Sequence, residues 1–227
     1  MKTLLAFDTS GAVLTVLLEH QGRLFCRSAA YGLRHSEHLL PEIESLLQQA
    51  GCAKDELELI AVTKGPGSFT GLRIGMSAAK GLSYALGIPM VSVPTLEVYQ
   101  LPFSWFAGTV MPVIDARKQR YYTAAYRHGR QCSEVMDCSA QKIADFAFSH
   151  APVLFTGPDA AAFQLELEKR MIMPPVQSAF HIYSTSVPAE GFIETAGRWY
   201  AANGPDHSTS GPLYIRKSEA EQKAAAE

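Results

Sequence analysis

Gly65-Pro66-Gly67-Ser68-Phe69-Thr70-Gly71-Leu72-Arg73-Ile74-Gly75 is the stretch of this 227-residue chain that decides how the rest is read. Its first three residues make a tight turn, and Ser68 is placed to cap a helix over about 68–86 that Gly87 and Pro89 end. No Gly-Lys-Ser/Thr follows the glycines, so the stretch is not a P-loop. A turn that delivers a helix N-terminus can still face an anion. Within the helix, Gly71, Gly75, Ala79 and Ser83 recur every four residues and leave one face almost without side-chain bulk. A glycine in a helix interior costs about 1 kcal/mol. The face therefore predicts a close approach, either by a helix of another protein or by this chain's own fold.

Outward from that turn, residues 57–63 read as a buried strand and 89–93 as the strand after the helix. Upstream, 3–8, 12–19 and 22–29 form a three-strand meander. Leu39, Leu40, Ile43, Leu46, Leu47 and Ala50 then follow a helical period, with Ser36 as the expected cap and Gly51 as the stop. Pro41 fits only near the first turn, where a missing N–H matters least. The order is β-β-β-α-β-α-β.

Residues 95–108 read as a connection or helix, with the aromatic stretch Pro102 to Gly108 buried between lobes. Strands are expected again at 109–115, 121–126 and 131–137. Ser139 starts a helix through Phe148, a strand covers 153–157, and helices cover 159–170 and 189–202. Little periodicity marks 174–188. The second half opens as the first does, which predicts a degenerate internal duplication. The expected division is a first lobe at 1–104, a second lobe at 105–216 and a low-complexity tail at 217–227.

Composition narrows the function classes. Hydrophobic residues make up 47% and charged residues 19%, which is globular and not disordered. Twenty basic against 22 acidic residues give a net charge of −2, without the basic excess that holding nucleic acid alone requires. Cys26, Cys52, Cys132 and Cys138 lack metal-ligand spacing and a disulfide framework. Asp8 interrupts the N-terminal apolar run too early for a signal peptide. The longest uncharged run, Val98 to Ile114, holds Pro102 and Pro112 and is too short to span a bilayer. A reducing cytoplasm is the expected setting.

Four features could carry chemistry. Asp8-Thr9-Ser10 and Asp115-Ala116-Arg117 end equivalent strands of the two halves. Such aspartates either cap turns or face a nucleotide cleft, and the glycine-poor second turn disfavours phosphate. His35 and His38 share a helix face, but two ligands without a third make no metal site. Arg117, Lys118, Arg120, Arg127 and Arg130 surround a hairpin with no acid between Asp115 and Glu134. That cluster is either a solvated face or a contact for a tRNA backbone. Ser68 and Thr70 have no His and Asp partners in sequence for nucleophilic catalysis.

Asp8-Thr9-Ser10, His35-Ser36-Glu37-His38-Leu39-Leu40-Pro41, the 65–75 stretch, Ile114-Asp115-Ala116-Arg117 and Pro212-Leu213-Tyr214-Ile215-Arg216 together resemble, in order, the motifs of the bacterial TsaB (YeaZ) family. This is the glycoprotease-like branch of the actin/Hsp70 superfamily. The resemblance covers residues 1–216. It implies a two-lobed actin-like (ASKHA, RNase H-like) α/β fold with duplicated subdomains. It also implies a non-catalytic partner of the catalytic paralogue TsaD and the ATPase TsaE in making threonylcarbamoyladenosine on tRNA. No cofactor is implied for the chain itself, with ATP or ADP held at the level of the complex. The paralogue carries a histidine pair after its fifth strand, where this chain has Pro94-Thr95-Leu96-Glu97-Val98-Tyr99-Gln100.

Under the resemblance, Leu39, Ile43 and Leu46 would supply apolar contact to the partner and Gly71, Gly75 and Ala79 closeness, with a homodimer when the partner is absent. Asp8, Thr9 and Asp115 would line a nucleotide cleft, and Arg117, Lys118 and Arg120 would touch tRNA. The rival readings are an autonomous metallopeptidase and a nucleotide-dependent ATPase or phosphotransferase.

Overall fold

The structure is a computed structural model that describes residues 3–32, 34–182 and 186–216. The expected tail at 217–227 lies outside them. The first half runs β1 (Leu4–Asp8), β2 (Leu14–His20), β3 (Arg23–Ala29), α1 (His35–Ala50), β4 (Leu59–Gly65), α2 (Phe69–Leu86), β5 (Met90–Pro94) and α3 (Thr95–Gln100). The second runs β6 (Thr109–Asp115), β7 (Tyr121–Thr123), β8 (Tyr126–Arg127), β9 (Arg130–Gln131), β10 (Met136–Cys138), α4 (Ala140–Phe148), β11 (Val153–Thr156), α5 (Ala160–Lys169), β12 (Ser178–Phe180) and α6 (Ala189–Asn203).

The two sheets repeat one topology. The first has the order β3-β2-β1-β4-β5, and the second β10-β7-β6-β11-β12. In each, the opening strand pairs antiparallel with its hairpin neighbour and parallel with the strand after the next helix, as β1 does with β2 and β4 and β6 with β7 and β11. The repeat is therefore β-β-β-α-β-α-β-α, with the β8–β9 hairpin inserted in the second copy. Asp8 and Asp115 occupy matching strand ends.

Alternation along the strands sorts the core into layers. Leu5, Phe7, Val16, Ile60 and Val62 point outward to α1 and α2. Leu4, Ala6, Leu17 and Ala61 point inward to Leu96, Tyr99, Phe192 and Ala196 of α3 and α6, which also meet Val110, Ile114 and Leu154 of the second sheet. Met111, Val113 and Phe155 face α4 and α5. The result is helices, sheet, helices, sheet, helices, an actin-like fold. No helix among the described residues is long and apolar enough to cross a membrane.

Several expectations are corrected here. The helix α1 begins at His35 with Arg34 at its cap position, so Ser36 lies inside it and caps nothing. Pro41 consequently sits in the second turn, not the first. The helix continues through it because Leu39, Ile43, Leu46 and Leu47 are buried on the sheet, outweighing a cost of about 3 kcal/mol. Trp105 is three-quarters exposed, so the aromatic stretch is only partly internal. The expected strands at 121–126 and 131–137 break into four short ones. Finally, the chain after residue 188, expected with the second lobe, returns to the first sheet. There α6 packs on β1, β2 and β5, and Asp206 N–H donates to the Met90 carbonyl at 2.8 Å.

Candidate functional site

The glycine-marked helix α2 is set directly against the turn after β1. Ser68 caps it, accepting from Gly71 N–H at 3.3 Å, while Ser68 N–H donates to the Ser10 carbonyl at 2.7 Å. Thr9 Oγ1 donates to the Gly71 carbonyl at 2.7 Å. A Cβ on Gly71 would overlap the Thr9 carbonyl oxygen, one on Gly75 would lie 2.5 Å from Thr9 Oγ1, and one on Gly67 would lie 2.7 Å from Ser10 Cβ. The small-residue face is thus filled by this chain's own Asp8–Ser10 turn.

This corrects the expected partner contacts. Gly71 and Gly75 are buried in that packing, and Ala79, Leu39, Ile43 and Leu46 are buried in the core between the first sheet and its outer helices. A partner reaching these helices meets other rows. On α2 the exposed positions are Thr70, Arg73, Ser77, Gly81, Tyr84 and Ala85, beside the half-buried Ile74, Ala78 and Leu82. Gly81 has nothing within 4 Å of where a Cβ would stand. On α1, Leu40 is 52% exposed.

Asp8 is buried in the strand–turn junction. Its Oδ1 accepts from Thr63 Oγ1 of β4 and, at 2.9 Å, from Ser10 N–H. Burial raises its carboxyl above the ordinary carboxylate range, against the pull of those bonds and of His35. His35 Nε2 lies 3.0 Å from the Gly11 carbonyl, and His38 stacks on Tyr31 at 3.8 Å, so the two histidines serve separate local contacts. Tyr99 of α3 is fully buried, and its hydroxyl is held well above its usual range by burial and then by the carboxylates of Asp8 and Asp159. It lies in the core between the two sheets.

At the matching end of β6, Asp115 Oδ1 accepts from Arg117 N–H at 2.8 Å, and Asp115 N–H donates to Asp159 Oδ2 at 2.7 Å. Burial pushes Asp159 up, against the hydrogen bond it takes from Asp115 N–H. Arg117, Lys118 and Gln119 have φ of 61°, 55° and 58°, three successive non-glycine residues in the left-handed region. Each costs about 1–2 kcal/mol there. Arg120 pairs with Asp137 at 2.7 Å and Arg117 with Asp115 at 3.4 Å, so two of the expected tRNA-facing cations already have acidic partners.

Sequence reasoning did not foresee the strap that joins these two turns. Leu213 N–H donates to the Lys64 carbonyl at 2.6 Å, and the Leu213 carbonyl packs on Gly65. Tyr214 OH accepts from Arg73 Nε at 2.9 Å and its ring meets Phe69 at 4.8 Å. Arg216 then reaches the Ala116 carbonyl at 3.1 Å and both Asp137 oxygens at 2.7–2.9 Å. The segment runs from the start of α2 to the turn after β6. Its Pro-Leu-Tyr-Ile-Arg motif was visible, but motif order does not show what a segment crosses.

The position after β5 is α3, whose Thr95, Leu96, Val98, Tyr99 and Gln100 are buried. Its one carboxylate, Glu97, accepts from Trp199 Nε1 of α6 at 2.5 Å.

Comparison with known proteins agrees with this architecture. The family model described as "TsaD: tRNA N6-adenosine threonylcarbamoyltransferase" matches residues 30–188. The "tRNA threonylcarbamoyladenosine biosynthesis protein TsaB" of Bacillus subtilis (strain 168) is 32% identical over 97% of this chain and 97% of its own length. The Escherichia coli (strain K12) protein of that name is 31% identical over 59% of this chain and 62% of its own. Among solved structures, "YeaZ from Pseudomonas aeruginosa" superposes with a TM-score of 0.76 at 28% identity, over 95% of this chain and 100% of that one. A full-length relative above 30% identity, a matching family model and the duplicated fold lead to one conclusion: this chain belongs to the TsaB (YeaZ) family, in the TsaD-like glycoprotease branch.

Proposed function

We propose that this chain is a non-catalytic subunit for tRNA threonylcarbamoyladenosine synthesis. It pairs with a TsaD-type catalytic paralogue, works with a TsaE-type ATPase in the cytoplasm, and meets tRNA through the complex. The observation that carries the non-catalytic reading is the state of the cleft. Asp8 is committed to Thr63 and Ser10, Asp115 to its own turn, and the α3 carboxylate to Trp199. Each of these acids is engaged within the chain, Asp8 through one oxygen, and α3 offers no pair of metal ligands. The metallopeptidase reading loses its chemistry at α3.

The partner surface is proposed to be the outer rows of α2 and α1. Gly81 supports this placement: a helix-interior glycine with open space outside costs about 1 kcal/mol with no return inside the chain. Close approach by a partner helix supplies that return. Without a partner, a second copy of the chain would cover the same face. The exposed Arg117 and Lys118 on the left-handed turn are the proposed tRNA contact within the complex.

The test is size-exclusion chromatography of the chain with the TsaD-type paralogue of the same source, with and without ATP and the TsaE-type protein. A stable complex required for tRNA modification is expected. No association under any of these conditions overturns the reading, as does ATP turnover by the isolated chain that Asp8→Asn abolishes.

A further inference from the structure

His20 ends β2, Cys52 follows the left-handed Gly51 that closes α1, and Glu56 lies in the 3-10 turn Lys54–Glu56. Cys52 and Glu56 are four residues apart and His20 is more than thirty residues before them, and one ligand atom from each lies within 4.8 Å of the others. His20 and Cys52 are 5% and 7% exposed. The three side chains stand on backbone that is already fixed. Cys52 N–H donates to the Leu47 carbonyl at 3.0 Å, and Glu56 Oε2 accepts from Ala53 N–H at 2.7 Å, which leaves its second oxygen for a ligand. Thr3 Oγ1 lies 3.5 Å from His20 Nδ1 and restrains the ring. Cys52 also lines a surface cavity of about 430 Å³ with Leu47, Gly51, Ala53 and Lys54, so an ion has a way in.

We infer that His20, Cys52 and Glu56 form a binding site for a borderline-soft divalent cation, zinc by preference. Thiolate, imidazole and carboxylate are the donor set that Zn²⁺ takes. A thiolate and a carboxylate balance its charge, and the neutral imidazole completes three of four tetrahedral positions. Tetrahedral Zn–S and Zn–N bonds of about 2.3 and 2.0 Å require the three groups to close in from their present separation, within reach of side-chain rotation. The site lies beside the start of β1, at the end of the first sheet opposite Asp8, and belongs to no step proposed above.

Burial, then the Glu56 and Asp55 carboxylates, holds the Cys52 thiol above its usual range. The titratable groups around it are His20, Asp55 and Glu56, with the Lys54–Glu44 ion pair at the cavity rim. Binding releases the thiol proton to solvent and strengthens as pH rises.

Co²⁺ is the probe, titrated into the full chain carrying Cys26→Ser and Cys132→Ser, which removes the two exposed thiols. One equivalent should produce a sulfur-to-cobalt charge-transfer band with the intense visible bands of tetrahedral cobalt, both bleached by Zn²⁺. Cys52→Ser should remove the charge-transfer band. Glu56 is exposed, and Glu56→Gln retains the Ala53 bond, so a folded variant remains available if Cys52→Ser unfolds. Glu56→Gln should weaken Co²⁺ by at least the roughly tenfold that even outer-shell changes cost. Absence of saturable absorption, a spectrum indifferent to Cys52→Ser, or unchanged affinity in Glu56→Gln overturns the inference.

Discussion

At the scale of single residues, the glycines of α2 are the clearest case of a sequence feature with a physical cause. Gly75 faces Thr9 and Val62 inside the chain, so Gly75→Leu strikes the core and not a docking face. It should lower the unfolding free energy by about 1–3 kcal/mol or more, read as a fall in the urea midpoint. A variant as stable as the wild type would mean that the contact with Thr9 is absent. Asp8 yields a second prediction. Its carboxyl is raised by burial, so the folded chain keeps that proton at pH values where the unfolded chain, near 3.8, has lost it. Its contribution to stability therefore falls as pH rises from 3.8 through the raised value, then levels off. Asp8→Asn has no such proton, so its stability relative to wild type should grow across that window and then hold. A difference that stays flat between pH 4 and 7 would show an ordinary carboxyl.

At the scale of elements, the chain's local signals were legible wherever packing agreed with them. Ser68 caps α2 as expected, bonding Gly71 N–H, and Ser139, where a helix was expected to start, caps α4 by bonding Lys142 N–H. The periodic apolar rows of α1 and α2 were read correctly as rows. Which body they face was not readable, because a row that buries against a sheet and one that buries against a partner have the same period. The meander of the second half was misjudged for another reason. Its turns use Arg117-Lys118-Gln119 and His128-Gly129, and left-handed geometry at ordinary residues leaves little trace in composition. The proposed metal cluster was invisible, since Cys52 and Glu56 are an unremarkable pair in one connection and only folding brings His20 to them. On α2, Gly81→Trp adds bulk where nothing of the chain stands, so its thermal midpoint should stay near or above the wild type. Pairing with the TsaD-type paralogue should fall below detection in size-exclusion chromatography. Unaltered pairing would place the partner elsewhere.

At the scale of the molecule, Asp137 is a junction. It takes Arg120 from one side and Arg216 from the other, with its side chain 14% exposed. Asp137→Ala takes the carboxylate from two guanidiniums and leaves Arg216 only the Ala116 carbonyl to hold the strap to the second half. A loss of about 1–3 kcal/mol is expected, together with faster proteolytic cleavage after α6. Cleavage at the wild-type rate would show that Leu213 and Tyr214 hold the segment alone. The middle helical layer has a consequence of another kind. The first sheet is complete by Pro94, but one of the two helices that cover its inner face, α6, is encoded at 189–203. During synthesis, Leu4, Ala6, Leu17 and Ala61 must wait uncovered on that side while about a hundred further residues leave the ribosome. Half of this protein is translated early and finished last, and its exposure to chaperones and to aggregation is set by the speed of the other half.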